Sequence, residues 1–414
     1  MKRRSFITKS AIGFFGLNSL GFDRILKPGS NTLVFISSWT KAAPGQGGEG
    51  GIHIYELSEV DGSLVHIRSI QDELNIGNIC ISKDNRFLYA VEEVKDFNNK
   101  PTSGGGVHSY SIDQKSRSLT FINKQPTMGT FPCFLSIDGN GKCLIVANHG
   151  SYDSIMKTTR TLNGDFEVNR VYDDGSVALF PINDDGSIMP IADLDVHKGH
   201  GSHPFFQQSP HPHAVIFDNS RERAIVCDKG NDTITIYSVD RRKNSLAVRS
   251  IYKTKVGMGP RHAVLHPRKP FLFVINEAVS SLTSYHFNGE TGGITEINTL
   301  PTIPADFTDT NYPADIRIHP NGKFLYGSNR GHDSIVIFQI DQNSGKLTFV
   351  GHVLLNAKTP REFNITSSGK HMLVGNQDSD SVSSFAIDPE NGSLRLQAVT
   401  KNIPKPVCIQ FLEI

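Results

Sequence analysis

Arg330-Gly331-His332-Asp333-Ser334-Ile335-Val336-Ile337-Phe338 has a near copy at Lys229-Gly230-Asn231-Asp232-Thr233-Ile234-Thr235-Ile236-Tyr237, and a third at Gln377-Asp378-Ser379-Asp380-Ser381-Val382-Ser383-Ser384-Phe385. Each copy is a polar turn followed by a β-rich run. Upstream of each lies a turn and another apolar run, as in HPNGKFLYGSN (319–329), HPRKPFLFVIN (266–276) and TSSGKHMLVGN (366–376). Downstream comes an Asp/Asn-Gly turn and a further strand, as in IDQNSGKLTFVGHV (340–353) and IDPENGSLRLQAV (387–399). Asn, Asp and Gly tolerate positive φ and close short hairpins. A four-stranded antiparallel unit recurring every ~40–50 residues is the signature of a propeller blade.

Six complete units start near residues 75, 130, 209, 259, 312 and 359. The first part of the repeat region holds only three strands, Leu33–Ser38, Gly51–Leu57 and Ser63–Ile70, and the C-terminus holds an orphan one, 406–411. Joining them makes a seventh blade and closes the ring, which hides the edge strands. The expectation is an all-β, seven-bladed β-propeller as a single domain over 31–414.

Composition agrees. The 414 residues include 37 Gly, 21 Pro and one Trp, with 37% hydrophobic residues. That fits many small blades with tight turns better than a few thick-cored domains. Twenty-five Phe and ten Tyr are too many for a disordered chain. The net charge of +1 conceals a division. Residues 1–30 carry six basic residues and one acidic one, which leaves 36 basic and 40 acidic residues for the rest. The mildly acidic body argues against nucleic acid as a partner. The first segment, with Arg3-Arg4-Ser5-Phe6-Ile7 ahead of a weakly apolar run to Phe22, reads as a twin-arginine-like export signal. The protein is then periplasmic, with no membrane attachment after processing, and a monomer. Five scattered cysteines without C-x-x-C spacing read as buried thiols, a single disulfide being the alternative.

In a propeller the start of the innermost strand and the end of the second strand gather at one funnel. Reading down the register, the start position is Asn78, Phe134, His213, His262, Asp315 and Glu362, preceded by Gly77, Cys133, Pro212, Arg261, Ala314 and Arg361. The end of the second strand is Glu93, His149, Lys229, Glu277, Arg330 and Gln377. Ionisable groups converging in a cleft mark a site. The insertions at 39–50, 94–104, 150–174 and 195–210 cap the same funnel. The last of these, with Phe205 and Phe206, reads as a His-rich loop with an aromatic lid rather than as a metal centre. No nucleotide or dinucleotide fingerprint appears, and no cofactor or metal is expected.

Ser209-Pro210-His211-Pro212-His213, Gly259-Pro260-Arg261-His262, Asn276-Glu277-Ala278, Ser328-Asn329-Arg330-Gly331-His332 and Thr359-Pro360-Arg361 together resemble the seven-bladed propeller lactonases, a family that includes propeller-type 6-phosphogluconolactonase and a carboxymuconate lactonising enzyme. The resemblance covers about 32–414. It implies a metal-independent hydrolase opening the lactone of a sugar acid, with catalytic His213, Glu277, Arg261 and Arg330. The funnel register adds His262, Arg361, Lys229, His149 and Gln377 as substrate-binding candidates. In this reading His213 is the general base, the arginines stabilise the oxyanion or clamp a carboxylate, and Glu277 orients His213 or protonates the leaving alkoxide. Gln207-Gln208 stands where family members often carry Arg-Gln, which argues against a phosphorylated substrate. Two alternatives stand beside this reading. One is a lactonising cycloisomerase that uses the same site, and the other is a non-enzymatic propeller that binds a carbohydrate or protein.

Overall fold

The computed structural model describes residues 32–40, 50–70, 73–100, 103–218 and 222–413. The expected export segment, 1–30, lies outside the described residues. Seven four-stranded antiparallel sheets stand around a central channel, and a separate two-stranded hairpin projects from the third. Blade 1 is the split one. From the channel outward its strands are Pro406–Glu413, Thr32–Ser38, Gly51–Leu57 and Leu64–Ile70. The two chain ends are zipped together in register, with Val34 opposite Phe411 and Ile36 opposite Ile409. Blades 2 to 7 begin at Ile76, Pro132, Pro212, Pro260, Tyr312 and Pro360.

The burial pattern follows from strand position. Thr32–Ser38 and Gly51–Leu57 are buried along their whole length, because each has sheet neighbours on both edges and blades on both faces. The outermost strand, Leu64–Ile70, is half-exposed. The apolar core is divided between blades. Phe273 and Leu282 of blade 5 pack with Leu325 and Phe338 of blade 6. Leu33, Phe35 and Cys408 of blade 1 pack with Leu88, Ala90 and Tyr110 of blade 2. All five cysteines are free thiols.

On the face opposite the funnel, the His-Pro turns clasp neighbouring blades. The ring of His266 bonds the carbonyl of Gly322 at 3.1 Å, and His319 bonds that of Gly369 at 3.0 Å. Gly369 has φ of +72°, and a Cβ there would lie 2.6 Å from the His319 ring. Both the left-handed backbone and the close approach require glycine.

Two features of the blades matter for the funnel. In blades 1 to 5 and blade 7 the innermost strand carries a one-residue bulge near its start. Pro260 faces Asn276 and His262 faces Ile275, which leaves Arg261 unpaired between them. The corresponding residues are Gly77, Cys133, His213, Arg361 and Val407. The irregularity in blade 6 is longer and takes in Ala314 and Asp315. In blade 4 the extra residue is His213, between Pro212 and Ala214. The register read from sequence matches His213 with His262, one place too late. His213 in fact shares its position with Arg261 and Arg361. The second feature is the insertion at 150–174, expected as a cap. It contains the antiparallel hairpin Ser154–Arg160 with Phe166–Tyr172, whose Ile155, Met156 and Phe166 are exposed.

Candidate active site

A cavity of about 420 Å³ opens at the funnel, within the range of small-molecule sites. Its charged lining comes from two repeat positions. The bulge supplies His213, Arg261 and Arg361. The position at the end of the second strand supplies Glu93, His149, Lys229, Glu277 and Arg330. Bulges re-aim side chains out of the ladder. Here they turn large polar groups into the channel mouth, while the next residue along the strand (Asn78, His262 or Glu362) does not line the cavity.

Seven of the nine residues singled out from sequence therefore line one cavity: His213, Glu277, Arg261, Arg330, Arg361, Lys229 and His149. His262 does not. It lies behind His213, with ring centroids 5.1 Å apart. Gln377 is not in the lining either, and its amide bonds the neighbouring Asp378 at 3.0 Å. Trp39, Asn75, Phe131, Gly150, Ser151, Tyr152, Phe206 and Tyr312 complete the wall. Trp39 follows the strand Thr32–Ser38, so it holds in blade 1 the repeat position that Glu93 and Glu277 hold elsewhere. Carrying the register into the split blade would have found it. Phe206, though exposed, lines the cavity, whereas Phe205 does not.

Glu277 is the electrostatic centre. Lys229 Nζ donates to both its oxygens at 3.1 Å. Arg261 Nε lies 2.9 Å from Oε2, and Arg330 Nη2 lies 3.3 Å from Oε1. Burial pushes the carboxyl upward, but Lys229, Arg330 and Arg261 outweigh it and hold Glu277 well below the usual carboxylate range. It is a fixed anion at neutral pH. It therefore cannot protonate an alkoxide, and its contacts are with the cations rather than with His213. Arg330 Nε also donates to the Tyr312 carbonyl at 3.0 Å, and Arg261 Nη1 to the Ala314 carbonyl at 2.5 Å. Both guanidinium groups are thus held at two points. Burial pushes both arginines down from the ordinary arginine value. Three cations around one carboxylate leave a positive excess directed at the cavity.

A second group forms another part of the wall. The Arg361 guanidinium lies over the Trp39 ring, 4.1 Å from its centroid. The Trp39 indole N–H donates to Glu93 Oε2 at 3.0 Å. Burial raises Glu93 to about 7, with Arg361 and the indole bond opposing the rise. His213 and His149 are both pushed well below the ordinary histidine value, first by burial and then by nearby charge, from Arg261 and Lys229 at His213 and from Lys229 at His149. His149 Nδ1–H donates to the Gly150 carbonyl at 2.9 Å, and its ring stacks on His211 at 4.5 Å.

Gln207 is buried outside the cavity. Its amide oxygen accepts from the backbone of Ser202 and His203, and its amide nitrogen donates to the Lys229 carbonyl and to Asp232. It anchors the 195–210 loop. In the same region His197 is held between Asp228 at 2.6 Å and Tyr237 at 2.8 Å.

The family model for "Lactonase, 7-bladed beta-propeller" matches residues 33–411. The chain belongs to this family. A curated 6-phosphogluconolactonase of Bacillus subtilis (strain 168) is 30% identical over 378 residues, covering 91% of this chain and 97% of the relative. A solved structure described as a periplasmic gluconolactonase of Pseudomonas aeruginosa superposes with a TM-score of 0.78 at 26% identity, covering 92% of this chain and 99% of that one. A putative 6-phosphogluconolactonase from Bacteroides fragilis superposes equally well, with 26% identity and coverage of 92% and 98%. The protein is accordingly an enzyme of the propeller lactonase type.

Proposed function

We propose that the enzyme hydrolyses the lactone of a sugar acid, with His213 as general base and the Arg261–Arg330 pair as the oxyanion site. The observation that carries this is the placement of a neutral histidine and two fixed guanidinium groups on one cavity wall.

The chemistry follows from charge. Water adds to the lactone carbonyl carbon while His213 takes its proton, and the carbonyl oxygen becomes an alkoxide. Guanidinium groups already held by Glu277 need no reorganisation to meet that charge, and one such donor is worth about 3–4 kcal/mol. When the tetrahedral intermediate collapses, the ring C–O bond breaks. The departing alkoxide takes the proton back from His213. The product is the open hydroxy acid, whose carboxylate suits the positive cavity. Burial, with Arg261 and Lys229 nearby, keeps His213 neutral, the form a base requires. Negative charge developing beside it favours protonation, so its basicity rises as the reaction proceeds.

The basic, weakly apolar segment 1–30 and the periplasmic description of the Pseudomonas relative support an exported enzyme acting on an unphosphorylated lactone. The test is proton release by purified protein from glucono-lactone and from its 6-phosphate, corrected for spontaneous opening. Wild type is expected to open the unphosphorylated lactone faster, and His213→Ala and Arg261→Ala to lose at least ~10²-fold in kcat. Full activity in both variants would sink the assignment.

A further inference from the structure

Behind the cavity wall lies a buried polar chain that the mechanism above does not use. His213 Nδ1 is 3.3 Å from His262 Nε2. His262 Nδ1 is 2.9 Å from Asp315 Oδ1. Asp315 is fully buried, and its other oxygen accepts from the Phe363 backbone N–H at 3.2 Å and lies 3.3 Å from Arg317 Nη2. Arg317 in turn reaches Glu362 at 3.0 Å, and Glu362 accepts from Asn78 at 3.3 Å.

We propose that Asp315 and His262 form a positioning relay that holds His213 as its Nδ1–H tautomer, leaving the Nε2 lone pair as the base presented to water. The inference rests on the lactonase reading for its use, though not for its geometry.

The assignment follows from donor and acceptor identity together with the charge each buried group carries. Asp315 takes one backbone N–H and faces one guanidinium. Burial pushes its carboxyl up, but Arg317 and His262 outweigh this and keep it below its ordinary value. An ionised carboxylate only accepts, so His262 Nδ1 must be the donor. Burial, with Arg261 beside it, pushes His262 down to about 3, so its ring is neutral and carries one proton. His262 Nε2 is therefore bare. Its single lone pair is shared between Arg261 Nη1–H at 3.0 Å and His213 Nδ1 at 3.3 Å. Two lone pairs facing each other at 3.3 Å would repel, so His213 Nδ1 carries the hydrogen. One nitrogen remains on the only part of the ring not committed to this chain, and it is unprotonated. The repeat explains why the relay exists. His213 and Arg261 stand at bulges and face the cavity, whereas His262 stands one residue after its bulge and Asp315 ends the longer irregularity of blade 6, and neither lines the cavity.

The relay also has a role once His213 becomes imidazolium. Its Nδ1–H then donates to a neutral acceptor that is itself tied to a carboxylate. This aligns the ring without moving a second proton. Asp315 and His262 are positioning residues because neither lines the cavity.

The experiment is ¹⁵N NMR of the unliganded full-length protein labelled at histidine, with the His213 signals identified by their loss in His213→Asn. The expected result is a protonated Nδ1 and a bare Nε2 on His213. Finding the proton on Nε2 in wild type overturns the proposal with no variant needed. Asp315→Asn is expected to populate the other tautomer and to lower kcat on the order of 10²-fold with KM nearly unchanged. Unchanged tautomer and unchanged kcat in that variant also overturn it. Should Asp315→Asn fail to fold, His262→Gln and His262→Phe decide. Gln offers an acceptor to His213 and a donor to Asp315 and should retain far more activity than Phe, whereas equal activity counts against the relay. A protein with the Nδ1–H tautomer that opens no lactone would overturn the proposed function while leaving the tautomer assignment standing.

Discussion

Replacing Glu277 by Gln removes one charge and almost no volume. The side chains of Lys229, Arg261 and Arg330 are 10%, 2% and 16% exposed, and all three converge on that carboxylate. Without it they face one another in a poorly hydrated cavity. Removing one partner of a buried ion pair costs ~3–5 kcal/mol, because the remaining charge has lost its compensation. Here three cations lose it, so the upper part of that range is expected at pH 6. The sign of the pH dependence follows. The cluster holds its protons less tightly in the folded variant than in the unfolded chain. The unfolded state then binds more protons, and variant stability rises with pH. Urea unfolding of wild type and Glu277→Gln from pH 6 to pH 9 measures this. The gap between them should narrow as pH rises. Added phosphate should stabilise the variant more than wild type, as an anion takes the place of the carboxylate, with ~2.7 kcal/mol gained at a hundredfold excess over Kd. A variant as stable as wild type at pH 6 would refute the idea that Glu277 neutralises the three cations.

Glu93→Gln should abolish a pH dependence of anion binding. In wild type, Glu93 gains its charge as pH rises through about 7, so KM for an anionic ligand should rise across that window and stay flat in the variant. A raised folded value also means that wild type loses stability between pH 4.5 and about 7, at most ~3 kcal/mol, and urea titrations of both proteins would show it. Arg361→Ala should raise KM for acidic lactones roughly tenfold with little change in kcat, since its guanidinium rests on Trp39 rather than on Glu277. Steady-state kinetics with acidic and neutral lactones separate that from a general loss. His319→Ala should lower stability by ~1–2 kcal/mol by stranding the Gly369 carbonyl between blades, and leave kcat unchanged, as thermal unfolding and rate assays can show.

Several of these residues were legible before any coordinates. The second-strand position stands at a constant distance from the start of its own strand, so His149, Lys229, Glu277 and Arg330 align without ambiguity, and a propeller brings such positions together whatever its substrate. The innermost strand was harder. Its bulge adds a residue that no apolar periodicity reports, so His213 was matched to His262 when its true counterpart is Arg261. The same blindness hid the division of labour between adjacent residues, one facing the cavity and the next facing the core. Trp39 was missed because its blade is split between the two ends of the chain. Glu93 was seen in the register, but its raised titration depends on burial against Trp39 and Arg361, which no spacing conveys.

The order of strands, the number of blades and the closure of the ring all follow from local turns and apolar runs repeated along the chain. Even the closure, which pairs Thr32–Ser38 with Pro406–Glu413, is legible because six complete units leave those two pieces over. The protonation states at the site are different in kind. Whether Glu277 is an acid or a fixed anion, and which nitrogen of His213 is bare, depends on groups about fifty residues away brought within 3.3 Å. Electrostatics at that range is set by distance and burial, and only the closed ring of blades decides either.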